Sequence, residues 1–288
     1  MFRFLLICAF ACAPLPAQTA VTRFLKQKTL DRLHKIDTNL GGVLGVAALD
    51  LTNGHVLAYK GDAVFPTASS IKIAILMRMF GDEGAGRFRF NDTVTLTPAD
   101  NAGASDGPLQ AALDQGAVKL TILNLIEHMI QYSDNSATNK CIDIAGMDRI
   151  NQLIGEAGLK STHLRRKMMD LAAAARGDEN VSTPLELSRL MQIIYENKET
   201  DMLAILKRVN ADMRRAIPAE IEVAAKPGEL DGVRCEVGLV FLPKRPFIVT
   251  VMSTYLDDGA NPVGEATRVV FEYFQKLARS NDVGRRLP

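Results

Sequence analysis

The sequence has no tryptophan, and aromatic residues make up only 6% of its 288 positions. Without interleaved aromatics there is no platform for base stacking, and no basic stripe offers a track for a phosphate backbone. The 34 basic and 33 acidic side chains leave a formal charge of +1, so nucleic acid is not an expected partner. Four cysteines are too few for a disulfide framework. Cys8 and Cys12 lie near the N-terminus, and Cys141, in an apolar helical stretch, reads as a packed thiol. The histidines at 34, 55, 128 and 163 are scattered without metal-ligand spacing, so no metal site is expected.

No apolar run is long enough to span a bilayer. The longest at the N-terminus, Phe4 to Ala13, covers about ten residues and follows the cation Arg3, the pattern of an export signal. Residues 1–20 are assigned to that signal, with cleavage after Ala17 or Ala20, and the protein is expected outside the cytoplasm, periplasmic or secreted. Ala9-Phe10-Ala11-Cys12 is a poor lipid-attachment sequence. A buried N-terminal helix is the alternative reading. What remains has an ordinary globular composition, 47% hydrophobic and 23% charged, with enough apolar surface for a core.

Apolar spacing predicts a helix over 21–38. Gly42 to Leu51 then turns strand-like, and Thr52-Asn53-Gly54 signals a hairpin returning through Val56 to Tyr59. The middle is helical: Ser70 to Phe80, Thr121 to Gln131, Asn135 to Ala145, Asp148 to Ala157, and Pro184 to Glu196 with Ser182 or Thr183 as its cap. Strands return at Ile221 to Lys226, Cys235 to Leu242 and Phe247 to Thr254, and Val263 to Ala278 closes as an amphipathic helix. The expected fold is α/β of the α+β type. One five-stranded antiparallel sheet is built from both chain ends and flanked by the terminal helices. A second lobe is all helical. The expected boundaries are a sheet lobe over about 21–62 and 218–280 and a helical lobe over about 63–217, within one catalytic domain, 21–288, acting as a monomer.

Three motifs carry chemistry. Ser69 and Lys72 stand three apart at a helix start and so share a face, where the helix N-terminus adds positive potential. A serine hydroxyl is a weak nucleophile until a neighbour takes its proton. A lysine can take it if burial and nearby cations lower its pKa. Alone, Ser-x-x-Lys reads equally as a capped helix with a surface lysine, but the helix that follows (IAILM) is almost wholly apolar and would bury Lys72. Ser133-Asp134-Asn135 opens a second helix, and all three residue types also cap helices. Lys226-Pro227-Gly228 ends a strand; Pro and Gly also make an ordinary turn.

Taken together, the three motifs resemble the Ser-x-x-Lys, Ser-Asp-Asn and Lys-Thr-Gly set of class A β-lactamases and penicillin-binding proteins. Order, spacing and flanking text agree, including Phe65-Pro66 and Ser136-Ala137-Thr138-Asn139. The resemblance covers roughly 42–277. It implies that Ser69 attacks a β-lactam or peptide carbonyl, with Lys72 as proton acceptor. Ser133, backed by Lys226, would pass a proton to the leaving nitrogen. Asn135 would hold the substrate's side-chain amide, with Gly228 leaving room along the strand edge. The N–H groups of Ser69 and Glu229 would form the oxyanion hole. Arg234 would meet the substrate carboxylate, or else is a solvated strand-edge arginine. No cofactor is implied. The partners are a small β-lactam or a cell-wall peptide.

Two departures stand out. The Thr of Lys-Thr-Gly is Pro227, which removes a hydroxyl and an N–H and requires an edge strand. The deacylating Glu of Glu-x-x-Leu-Asn is also missing from the stretch 164–184. Lys167 or a Met falls near its place, Asp170 is the closest acid, and Asp178 and Glu179 are expected to pair with Arg165 or Arg166. The leading expectation is a β-lactam-hydrolysing serine enzyme. The alternatives are a D-Ala-D-Ala peptidase or esterase, and a covalent penicillin-binding protein with little turnover.

Overall fold

In a computed structural model, residues 19–103 and 107–287 are described; the assigned signal segment lies outside them except for Thr19 and Ala20. Thr19 caps the first helix, α1 (Ala20–Asn39), by accepting from the Thr22 N–H. Cleavage after Ala20 would therefore remove the cap and the helix's first residue.

The chain continues through β1 (Val43–Asp50), β2 (Val56–Tyr59) and the short β3 (Phe65–Pro66) to a 3-10 turn (Ala68–Ile71) that runs into α2 (Lys72–Gly84). A hairpin of β4 (Thr93–Leu96) and β5 (Val118–Thr121) brackets α3 (Pro108–Gln115). Then come α4 (Ile122–Gln131), α5 (Asn135–Ala145), α6 (Met147–Glu156) and the short α7 (Leu171–Ala175). β6 (Val181–Ser182) pairs with β3 and leads into α8 (Pro184–Glu196), which Thr183 caps. α9 (Thr200–Lys207) and α10 (Asp212–Ala216) precede β7 (Val223–Leu230), β8 (Val233–Val240), β9 (Phe247–Thr254) and α11 (Val263–Ala278).

The five-stranded sheet has the order β2-β1-β9-β8-β7, and every pairing is antiparallel. Both chain ends build it, as expected. β8 and β9 are buried along nearly their whole length, which explains their mainly apolar sequences. One sheet face carries Cys235, Val237, Leu239, Ile248 and Met252 into a core shared with α2, α4, α5 and α8. The other carries Val240, Phe247, Val249 and Val251 against α1 and α11, where Phe247 stacks on Phe274 with centroids 4.2 Å apart.

Three details differ from the sequence expectation. Ser69 lies in a 3-10 turn, and α2 begins only at Lys72. In a 3-10 turn residues i and i+3 eclipse, so the two side chains still face the same way. Lys226-Pro227-Gly228 falls inside β7 rather than at its end, because β7 runs on to a turn at Asp231-Gly232. Pro227 is tolerated there because β7 is the sheet's edge. The helices α3, α7, α9 and α10 are short pieces without long apolar periodicity, so they add to the elements expected from the sequence.

Candidate active site

Ser69 and Ser70 are adjacent, and the fold separates their roles. Ser70 is fully buried and its hydroxyl donates to the carbonyls of Lys226 (3.1 Å) and Cys235 (3.4 Å). It bolts the 3-10 turn onto β7 and β8. Ser69 instead lines the large cleft between sheet edge and helices. Ala68, just before it, has a φ of 45°, a strained backbone of the kind that clusters at functional sites.

Lys72 is fully buried. Its ammonium donates to the Ser133 carbonyl (2.6 Å), the Ser133 hydroxyl (3.1 Å) and Asn135 Oδ1 (3.2 Å). Burial, and then the nearby Lys226 charge, push its pKa well below the ordinary lysine range. A neutral amine has two N–H groups for these three acceptors. One contact must therefore give way to its lone pair, which suits it to take a proton.

Lys226, also fully buried, donates to the same Ser133 hydroxyl at 3.0 Å and to the Pro227 carbonyl at 2.9 Å. Burial brings its pKa down to about 7, against an opposing effect of Glu236. Ser133 has a φ of 54°, which lets the α4–α5 turn aim its hydroxyl between the two amines. Asp134 and Asn135 divide the remaining work. Asp134 caps α5 by accepting from the Ala137 N–H, while Asn135 reaches Lys72 through Oδ1 and donates from Nδ2 to the Gly103 carbonyl.

Gly228 lines the cleft and also meets a constraint that its sequence context does not show. A Cβ built on it would come within 2.7 Å of Ser69 N and of the Thr67 carbonyl. The glycine lets the nucleophile turn press against β7, which sets the Ser69 N–H beside Gly228. Glu229 lines the cleft, and its exposed carboxylate pairs with Arg234 at 2.7 Å. Arg234 also donates to the carbonyls of Leu230 and Val233, and it is not among the residues lining the cleft. Ser69, Ser133, Asn135, Lys226, Gly228 and Glu229 thus share one cleft, with Lys72 directly behind Ser133, while Arg234 turns to Glu229.

The facing wall comes from the loop before α8. Arg166 pairs with Glu179 at 2.7 Å, and the Asn180 side chain accepts from the Arg165 and Arg166 N–H groups. Of the expected loop pairs, Glu179 takes Arg166, while Asp178 takes Arg176 instead. Asn139 clamps Met168 through both backbone groups, and Met168, Met169 and Leu171 line the cleft. Lys167 turns away to Asp143. Asp170, the candidate replacement base, is exposed, caps α7 by accepting from the Ala173 N–H, and does not line the cleft.

Sequence reading missed Glu236. It is a buried carboxylate on β8, opposite Pro227. It accepts from the N–H groups of Asp212 (3.1 Å) and Met213 (3.0 Å) and so anchors the α9–α10 segment that forms the cleft's third wall. Burial raises its pKa to about 7. The one sequence signal is a lone acid inside the otherwise apolar stretch Cys235 to Leu242.

Comparison with known proteins agrees with this geometry. A family model described as the β-lactamase enzyme family matches residues 27–274. The β-lactamase ROB-1 of Haemophilus influenzae is 27% identical over 280 residues, covering 91% of this chain and 89% of that protein. A β-lactamase from Sphaerobacter thermophilus superposes with a TM-score of 0.78 at 27% identity, covering 88% of this chain and 97% of that one. A mutant of PBP-A, solved as an acyl-enzyme complex with penicillin G, does so with a TM-score of 0.78 at 26% identity, covering 88% and 97%.

Proposed function

Because the chain belongs to the β-lactamase enzyme family, we propose that it is an exported serine hydrolase that opens β-lactams through an acyl-enzyme on Ser69. The observation that carries this reading is the Ser133 hydroxyl held between two buried amines, Lys72 at 3.1 Å and Lys226 at 3.0 Å, in the cleft that Ser69 lines.

The proposed sequence of events follows from the donors present. Lys72, its ammonium form disfavoured by burial, takes the Ser69 proton, directly or through a water. Ser69 Oγ attacks the lactam carbonyl, and the N–H groups of Ser69 and Glu229 receive the developing oxyanion. Such preorganised donors contribute roughly 10²–10³ in rate each. Ser133 delivers a proton to the leaving nitrogen, and Lys226 restores it. Asn135 orients the acylamido group, and Gly228 keeps the nucleophile turn against β7. We assign no step to Arg234, whose partners are Glu229 and two carbonyls. One catalytic unit from residue 21 onward, monomeric, with its cleft between a sheet lobe and a helical lobe, suffices for these steps.

The test is intact-mass spectrometry after incubation with penicillin G. The wild type should gain the mass of one penicillin, and Ser69→Ala should gain none. An adduct on Ser69→Ala would assign the nucleophile elsewhere.

A second reading, a cell-wall peptidase or slow penicillin-binding enzyme, is favoured by one feature. The loop wall offers the cleft Met168, Met169 and Leu171, with Arg166 and Glu179 tied to each other. Glu179, the one acid of that loop lining the cleft, is held by Arg166 and so is poorly placed to activate a deacylating water. A pre-steady-state trace with a chromogenic cephalosporin separates the readings. A burst followed by a flat line favours the second, and steady turnover the first.

A further inference from the structure

Four of the large apolar side chains most exposed to solvent gather far from the cleft. Val21 (53% exposed) and Phe24 (69%) lie on α1, and Val283 (66%) and Leu287 (51%) on the segment after α11. The fold brings these chain ends together. Thr19 Oγ1 donates to the Asp282 carbonyl at 2.8 Å. A Cβ on Gly284 would touch Val21 Cγ1 at 3.7 Å. The Leu287 N–H donates to the Arg279 carbonyl at 2.8 Å, folding the tail back on the end of α11.

Cations frame this apolar corner. Lys28, seven residues after Val21 and four after Phe24, stands on the same exposed face of α1. Arg23 is exposed on α1, Lys276 in the last turn of α11, and Arg279, Arg285 and Arg286 on the segment after it, with one exposed acid, Asp282, among them. None of these six cations pairs with an acid among the described residues, whereas farther along α1 Arg32 pairs with Glu272. In a chain whose formal charge is only +1, such a cluster of unpaired cations is a local feature. Apolar tips ringed by Lys and Arg match an anionic bilayer surface, where rings and branched chains enter the acyl boundary and the cations meet lipid phosphates.

We infer that this corner, Val21 and Phe24 with Val283, Leu287 and their surrounding cations, is a docking surface for an anionic phospholipid bilayer. The inference does not rest on the proposed chemistry. The chain's own layout supports it. The patch sits on α1 and the segment after α11, on the sheet face away from the helical lobe, and none of its residues lines the cleft. A docked molecule would keep its cleft open to solvent.

The test is co-sedimentation of the purified protein, with the N-terminus its producing cell leaves, on two kinds of vesicle. One kind is phosphatidylcholine alone, the other equal parts phosphatidylcholine and phosphatidylglycerol. Binding should require the anionic lipid and weaken with salt. Phe24→Ser with Val283→Ser, and separately Arg285→Gln with Arg286→Gln, should each weaken it by about tenfold or more. Penicillin adduct formation should stay unchanged in both variants. Binding to neither vesicle would overturn the inference. So would equal binding to both that ignores the substitutions, since residues before Thr19 would then suffice. Self-association lost in the Phe24→Ser, Val283→Ser variant, without lipid binding, would assign the patch to a second copy instead.

Discussion

Lys226 donates to the Ser133 hydroxyl at 3.0 Å, joining residues 93 positions apart in the chain. Lys72 approaches the same oxygen from the other side. Two buried amines on one hydroxyl cannot both stay charged without cost, and that arrangement sets the expected response to pH.

Acylation should follow a bell-shaped pH profile. Lys72 must be neutral to accept a proton, and its lowered pKa makes that form accessible, so the rate rises as pH climbs through that value. Lys226 serves Ser133 as a cation, and its pKa is brought down to about 7. The second-order acylation rate, which reports the free enzyme, should therefore fall as pH rises past about 7. Stopped-flow acylation across pH 5–10 checks this. A rate that keeps climbing to pH 10 would remove the cationic role from Lys226.

The same lysine should cost stability. Its folded pKa of about 7 lies below the ordinary value of 10.5, so between those values the unfolded chain binds more protons. Stability contributed at this site then falls as pH drops from 10.5 to 7, and levels off below. Lys226→Met should raise stability at pH 7 by about 2 kcal/mol, with the gain shrinking toward pH 10, while acylation collapses. Urea unfolding at both pH values measures the difference.

Gly228→Ala should damage acylation more than folding. The added methyl would meet Ser69 N at 2.7 Å and push away the N–H proposed for the oxyanion. A loss of about 10²-fold in acylation rate is expected, with a small change in melting temperature. An acylation rate near wild type would mean that the turn shifts without disturbing the donor.

The loop wall gives a paired prediction on release. Asp170 is an exposed cap, so Asp170→Asn should leave release of a penicillin adduct unchanged. Met168, clamped to Asn139 and lining the cleft, faces the proposed acyl group. Met168→Glu would bring a general base into reach, worth about 10²-fold or more if well placed. Adduct lifetimes by mass spectrometry compare the two. Accumulation of acyl-enzyme in Asp170→Asn would restore Asp170 as the base.

Elements with strong local signals were legible in the sequence. The hairpin at Asn53-Gly54, the Thr183-Pro184 helix start and the runs of β9 and α11 fall at their expected residues. Local capping and apolar period are enough to define them. The three motifs were legible too, because Ser69, Lys72, Ser133 and Lys226 each sit in a recognisable local context. What sequence could not convey is which groups close on one another across the fold. Arg234 goes to its hairpin neighbour Glu229 and Asp170 to its own helix, local choices among several that the sequence left open, while Glu236 goes to α10, a partner brought by long-range packing. Gly228 shows the difference most clearly. Its identity was plain in the chain, but its reason, a turn pressed to within 2.7 Å of where a Cβ would stand, exists only once β7 and the Ser69 turn meet. Residue type and period act over a few positions and are written locally. The spacing between a hydroxyl and two amines depends on how the lobes pack, and only the tertiary structure decides it.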